Sequence, residues 1–576
     1  MALVEVLHVG HVTELERRVV LPISWAEPRE PEHFCTAAHV FGGDERSSPA
    51  GGDAKPRALM AAATSDSESK STPAAPPPND SEPKLGFFET LRTFPRSFWM
   101  GCGIEMWERL AYYGVRQVVG LYIAQADDPN GLHFTQAQKG TIFFWWALVQ
   151  SLVPMVSGGI TDRYGYKKTI IASVLFTMTG YSLMGTQHSF GGFMAGCLVL
   201  AFGTAIFKPG IQGTLAQSMS KKNSSVGWGF FYWLVNVGAM IGPFYAAFMR
   251  GKGWPFVFFG SALVISFNLP MLLTYKEVDS GADKGKPIGR VVIDTVRNFF
   301  GSPKLMLVVV LFSGFWMMLY QLWDLMPNFY TDWVDSLAFV KNNSWIPSNW
   351  VNATDIRGPS LKQEIALNLN SFLIVAFVIP MSFLVARIRV MTSITIGVLI
   401  ATIGTVIYGT SPSLYICALG IVFFSVGEML TGPKKTEYFA LIAPAGKKAL
   451  YLGYVNIPVA VGQSVGAKIA AWQYGTYGEK ATLSLRYLVE KTGFAAGRAW
   501  DGDVSTLEAV TGVERKAAFA TLVKELGQDP SAVNELLWTT YRPYQVWYPF
   551  AIIGLCSLVG IIVFSQVSKR WKDMDV

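Results

Sequence analysis

The sequence predicts an all-α, multi-pass membrane protein with twelve spanning helices in two halves of six. Three observations carry that expectation. Of its 576 residues, 51% are hydrophobic and only 15% charged, against about 25% charged in soluble proteins. The shortage is concentrated between Phe98 and Phe564, in apolar runs long enough for the roughly 20 residues a helix needs to cross a bilayer. Basic residues gather on alternate connections between those runs, as the positive-inside rule requires.

The runs lie at roughly 98–124, 138–160, 168–187, 191–217, 227–249, 255–275, 305–331, 364–386, 390–410, 413–442, 449–474 and 544–566. They are called spans 1 to 12 below. Six precede the polar stretch Lys276–Lys304 and six follow it. The expected units are a disordered tail (1–90), a first six-helix half (91–276) and a linker (277–304). Spans 7–11 (305–474), an extramembrane helical insertion (475–541) and the last span with its tail (542–576) follow. Within the tail, Asp44 to Pro83 is rich in Ser, Pro, Ala, Gly and charge, a composition that cannot bury a core. It lacks the pattern of a signal peptide, and Met60 would make a more ordinary start.

Span 1 is the most informative stretch. It carries Glu105, Glu108, Arg109 and Arg116 in an otherwise apolar run. At about 100° per residue, these charges and Tyr112 fall on one stripe about 100° wide. A charge facing lipid is costly, so the stripe must face protein or a wet cavity. Glu105 and Arg109, at i and i+4, can partly neutralise each other. Glu108 and Arg116 are two turns apart, so each needs a partner on another helix.

The segment Glu105-Met-Trp-Glu108-Arg109-Leu-Ala-Tyr112-Tyr113-Gly114 resembles the E-x-x-E-R-F-x-Y-Y-G signature of the proton-coupled oligopeptide transporters. Leu110 for Phe is the one departure. That family belongs to the major facilitator superfamily, whose 6+6 plan places the site near the midplane between the halves. The resemblance implies a proton-coupled symporter importing di- and tripeptides by alternating access, with no cofactor and no metal. The partners it implies are small peptides, protons and the bilayer, with no nucleic acid, for a chain working as a monomer.

The remaining spans extend the match. After span 2, Gly158-Gly159-Ile160-Thr161-Asp162-Arg163-Tyr164-Gly165-Tyr166-Lys167-Lys168 is similar to the superfamily's G-x-x-x-D-R-x-G-R-K-x loop. Glycine permits a tight turn there, and Asp162 and Arg163 can latch one state. Span 4 carries Phe207-Lys208-Pro209-Gly210. An ammonium so deep in an apolar run needs a reason, and Pro209 and Gly210 are expected to open the helix beside a cavity. The resemblance implies that Lys208 pairs with the span-1 carboxylates. Span 5 holds Phe231-Tyr232-Trp233-Leu234-Val235-Asn236-Val237-Gly238, similar to F-Y-x-x-I-N-x-G. The Asn236 amide offers donors and an acceptor to a substrate terminus.

Span 7 departs from the family pattern. Tyr320 stands before Gln321 where a proton-binding glutamate is usual, and Asp324, one turn on, is the candidate substitute. In span 8, Asn368 and Asn370 at i, i+2 cannot both face a cavity, and Asn370 is the better match. Span 10 has Gly427-Glu428-Met429-Leu430-Thr431-Gly432-Pro433, an isolated carboxylate beside an expected helix break. Lys434, Lys435 and Glu437 follow and mark the inner mouth. The proton-coupling candidates are therefore Glu105, Glu108, Arg109, Lys208 and Asp324. The substrate candidates are Arg116, Tyr112, Tyr113, Asn236, Tyr320, Gln321, Asn370 and Glu428. Asp162, Arg163 and Gly165 form the gating loop.

Arg163, Lys167, Lys168, Lys221, Lys222, Arg387, Arg389, Lys447 and Lys448 lie on even-to-odd connections. The rule then puts both termini in the cytoplasm, with the plasma membrane as the expected location. The net charge of +7 fits that loop bias better than a nucleic-acid footprint. The cysteines and histidines have no metal or disulfide spacing, and no nucleophile–base pair points to an enzyme. The rival readings are a major facilitator carrier of another solute, such as a drug or an anion, and a non-transporting peptide sensor.

Overall fold

The computed structural model describes residues 87–571, apart from 221–222, 279–292, 294–295, 445–447 and 496–497. Most of the expected tail and of the expected linker lies outside the described residues; the end of the tail, from Phe87, belongs to a short helix, Phe87–Arg92, where disorder was expected. Among those residues, ten helices are long and apolar enough to cross a membrane. Two more, Arg96–Arg116 and Asn456–Tyr477, have 21 and 22 residues but a more polar make-up. They pack inside the same bundle as spans 1 and 11.

The other spans are Gln136–Tyr164, Tyr166–Thr186, Phe190–Gln217, Ser224–Arg250 and Trp254–Ser266 continued by Asn268–Leu273. In the second half they are Pro303–Leu319 with its extensions, Leu369–Ala386, Val390–Gly409, Leu414–Leu441 and Tyr548–Ser568. Packing repeats six spans on. Span 1 lies on 5 and 6, span 2 on 4, and span 3 on 4 and 6; span 7 lies on 11 and 12, span 8 on 10, and span 9 on 10 and 12. The halves meet where span 2 packs on 11 and span 5 on 8. Each half has its own apolar core.

Two expectations about helix breaks fail. Span 4 runs unbroken through Pro209 and span 10 through Pro433. A proline removes one ladder bond, and here the flanking turns hold the helix. Span 7, by contrast, is interrupted at Tyr320 and Leu325, between Pro303–Leu319, Gln321–Asp324 and Met326–Trp333, and span 6 at Phe267.

The stretch after span 11 folds as helices Lys480–Glu490, Leu507–Thr511, Ala518–Leu526 and Pro530–Tyr541. Asp529 caps the last by accepting from Ser531 N, with Pro530 at its first position. Leu488, Phe519, Leu522, Val533 and Leu537 join the second-half core. Between spans 7 and 8, a short hairpin pairs Val351–Asn352 with Ser360–Leu361. These two additions share one face of the bundle, the insertion-bearing face. The opposite face carries the described basic residues Arg163, Lys167, Lys168, Arg387 and Arg389.

Candidate substrate cavity

The insertion-bearing face is closed by polar contacts between the halves. Span 7 presents Asp324, Asn328 and Asp332, four residues apart and so on one helix face. Arg116 of span 1 pairs with Asp324. Lys139 of span 2 donates to Asn328 Oδ1 at 2.8 Å, and Asn328 donates to Gln125 Oε1 at 3.0 Å. Gln125 in turn donates to Asp332 Oδ1 at 2.8 Å, and Tyr474 donates to the same carboxylate. On the other seam, Arg250 of span 5 meets Glu364 ahead of span 8 at 3.3 Å and Asp128 at 3.0 Å. Asn368 donates to Met240 O at 2.9 Å.

Local chain chemistry prepares the Arg116 contact. Pro327 has no N–H for the carbonyl four residues back, that of Trp323. That carbonyl accepts from Arg116 Nη1 at 3.3 Å. The guanidinium also lies 4.4 Å from the Phe143 ring centroid.

Beneath the closure lies a cavity of about 360 Å³ between the halves, within the usual range for small-molecule sites, about 300–1,000 Å³. The first half contributes Arg109, Tyr112, Tyr113, Arg116, Gln150 and Lys208; the second contributes Trp316, Tyr320, Trp323, Glu428 and Gln463. Tyr112 donates to Gln150 Oε1 at 2.9 Å, as does Trp146 Nε1. The wall thus presents cations, a carboxylate and aromatic faces to any guest.

The charged stripe of span 1 faces protein: Glu105, Glu108, Arg109 and Arg116 are all buried. Arg109 sits between two carboxylates, 3.2 Å from Glu105 and paired with Glu108. Both carboxylates stand behind it, off the cavity wall. Lys208 is in the wall but, among the described residues, has no carboxylate within the 4.0 Å of an ion pair. The implied pairing of Lys208 with the span-1 acids is therefore absent in this state, because Arg109 occupies both.

Three expected substrate residues do not reach the cavity. Gln321 is fully buried and donates to Met317 O at 2.7 Å; one residue on from Tyr320, it is turned about 100° away. Asn236 is satisfied by its own helix, donating to Tyr232 O at 2.8 Å. Asn370 is buried and donates to Glu428 Oε2 and Ser425 Oγ, both at 3.0 Å. It orients Glu428 from behind. Asp324 holds Arg116 at the closure instead of lining the wall.

In the loop after span 2, Gly165 has φ +100° and links two helices with no spacer. Tyr166 donates to Asp162 Oδ1 at 3.2 Å. Lys167 N donates to Glu277 Oε1 at 3.1 Å, and its Nζ donates to Tyr275 O at 2.6 Å. These described contacts stay within the first half; none crosses to the second.

Sequence reasoning missed Gln150, Tyr232, Trp316, Trp323 and Gln463 in the wall, and the Lys139, Arg250 and Glu364 contacts of the closure. Gln150 interrupts the run 143–153 and could have been flagged by polarity. The tryptophans carry no such signal.

Residues 109–467 match the model of the Major Facilitator Superfamily. The chain is 28% identical over 170 residues to dipeptide and tripeptide permease A of Erwinia pyrifoliae, covering 28% of this chain and 33% of that protein. It is 25% identical over 262 residues to a di-/tripeptide transporter of Lactococcus lactis subsp. cremoris, covering 44% and 52%. The matched segments thus span a third to a half of those relatives. A crystal structure of a POT family transporter in complex with 5-aminolevulinic acid superposes with a TM-score of 0.57 at 15% identity, covering 85% of this chain and 98% of that one. That likeness is one of fold. With more than half its length matched by the superfamily model and the 6+6 repeat evident in its packing, the chain belongs to the Major Facilitator Superfamily.

Proposed function

We propose that this chain is a proton-coupled symporter that imports di- and tripeptides across the plasma membrane by alternating access. It acts as a monomer with both termini in the cytoplasm. The observation that carries the reading is the buried Glu105–Glu108–Arg109 group beside Lys208, facing Glu428 across the cavity. Acids and bases at that depth answer each other across a gap that a small zwitterion can enter. The names of the peptide-transporting relatives support the choice of solute.

On this reading the insertion-bearing face is outside, and the structure is closed to the outside. A proton on Asp324 releases Arg116, which loosens the closure and frees a guanidinium for the peptide carboxylate. Lys208 is the second carboxylate partner, and Glu428, oriented by Asn370, receives the peptide ammonium. Glu105 and Glu108 carry a proton in exchange for Arg109. Asp162, Arg163 and Gly165 hold the cytoplasmic end of the first half as one piece.

The test is reconstitution in liposomes under an inward proton gradient, with dialanine accumulation measured against free alanine. Dialanine should accumulate and alanine should not. Equal handling of the two, or no accumulation of either, overturns the reading. Uptake unaffected by Lys208→Ala would reject this site.

A further inference from the structure

Lys435 is a charge that the network above leaves unexplained. It follows Glu428 by seven residues on a helix that runs unbroken over Leu414–Leu441. Seven residues return to nearly the same face, about 10 Å along the axis. Its neighbour Lys434 is neutralised by Glu437 at 2.9 Å. Lys435 is not: it is buried, and no carboxylate lies within ion-pair distance among the described residues. Its Nζ lies 3.9 Å from the ring centroid of Trp316, a wall residue. The ammonium of Lys208 acts on it electrostatically.

A buried ammonium without a counter-ion is costly, and an aromatic face offsets only part of that cost. Arg109 and Arg116 already have carboxylates. In this closed state, and among the described residues, Lys208 and Lys435 are thus the cations here without a carboxylate, and Glu428 is the acid in the cavity wall. A solute with one ammonium and two carboxylates matches that set. The spacing agrees, since an extended tripeptide spans about 10 Å, the separation of Glu428 from Lys435 along span 10.

We propose that Lys435 is a specificity-determining residue that, together with Lys208, makes the cavity favour di- and tripeptides carrying a second carboxylate. The proposal deepens the peptide-transport reading and rests on it for the solute class. When such a peptide binds, the Lys435 ammonium leaves the Trp316 ring for the extra carboxylate. A neutral peptide leaves it where it is.

The test compares Ala-Ala, Ala-Glu, Ala-Lys and glutarate on the full chain. Uptake by liposomes and thermal stabilisation of the purified protein are both measured. Wild type should prefer Ala-Glu to Ala-Ala by about tenfold, the scale of one well-placed charge contact, with Ala-Lys weakest. Lys435→Gln should bring the Ala-Glu to Ala-Ala ratio close to one, and Lys435→Arg should restore it. A wild-type ratio near one overturns the proposal, as does a ratio unchanged in Lys435→Gln. If no peptide is taken up or bound, but glutarate stabilises wild type and not Lys435→Gln, the peptide reading falls and the anion-receiving role of Lys435 stands. Failure of glutarate as well ends both.

Discussion

Arg116 of span 1 and Asp324 of span 7 form a buried ion pair that ties the two halves together directly above the cavity. Removing one partner of such a pair leaves an uncompensated charge, at a cost of about 3–5 kcal/mol. Asp324→Asn should therefore weaken the closed arrangement. Spin labels at Asn130 and Ser348, exposed positions on the closed face of the two halves, should gain a longer-distance population in the variant. An unchanged distance distribution would show that the closure does not depend on this pair.

Much of that pair was legible in the sequence. The stripe on span 1 required a partner for Arg116 on another helix, and Asp324 was the acid available one turn past Tyr320. The remaining rungs, Lys139 with Asn328 and Gln125 with Asp332, were not. Each sits near a span end, where polar residues are common, and their partners are some 190 to 207 positions away. Gln321, Asn236 and Asn370 were misjudged for one reason. A polar side chain in a spanning helix can be satisfied by its own backbone or by a neighbour in its own half, and periodicity does not distinguish that from a cavity face. The proline breaks were misjudged because one missing ladder bond does not open a helix that is packed on both sides.

Glu108→Gln should abolish gradient-driven accumulation while counterflow exchange of peptide survives. The variant keeps the shape of the side chain and an acceptor for Arg109, but cannot release a proton. Liposome uptake with and without an imposed gradient separates the two activities. Loss of both together would make Glu108 a structural member of the Arg109 group.

The insertion meets the first half through the Glu479 carboxylate. Arg515 pairs with Glu479, and Glu479 accepts from Gln136 of span 2 at 3.0 Å. Arg515→Ala strips a mostly buried carboxylate of its cation, at a cost of about 1–3 kcal/mol. The melting temperature should fall by several degrees. Lys516→Ala is the control: its bridge to Glu514 at 2.7 Å is exposed on both sides, and exposed pairs contribute little. A melting curve that treats the two variants alike would show that the Arg515 contact adds nothing.

Gly238 ends the span-5 motif, and its role is steric. A Cβ placed on it would stand 2.6 Å from Met106 O and 3.0 Å from Arg109 Cβ. One turn on, a Cβ on Gly242 would stand 2.7 Å from Gly114 N and 2.8 Å from Leu110 O. The two glycines form a small-xxx-small seam on which the backbone of span 1 lies. That seam fixes the depth at which Arg109 enters its pair of carboxylates. Gly238→Val must push the helices apart, at about 1–3 kcal/mol for an overpacked contact, and carry Arg109 with them. Uptake should be lost along with several degrees of melting temperature. Gly229→Ala on the same helix meets nothing within 4 Å and should change neither. If Gly238→Val transports normally, the close approach of spans 1 and 5 is not what positions the charged group.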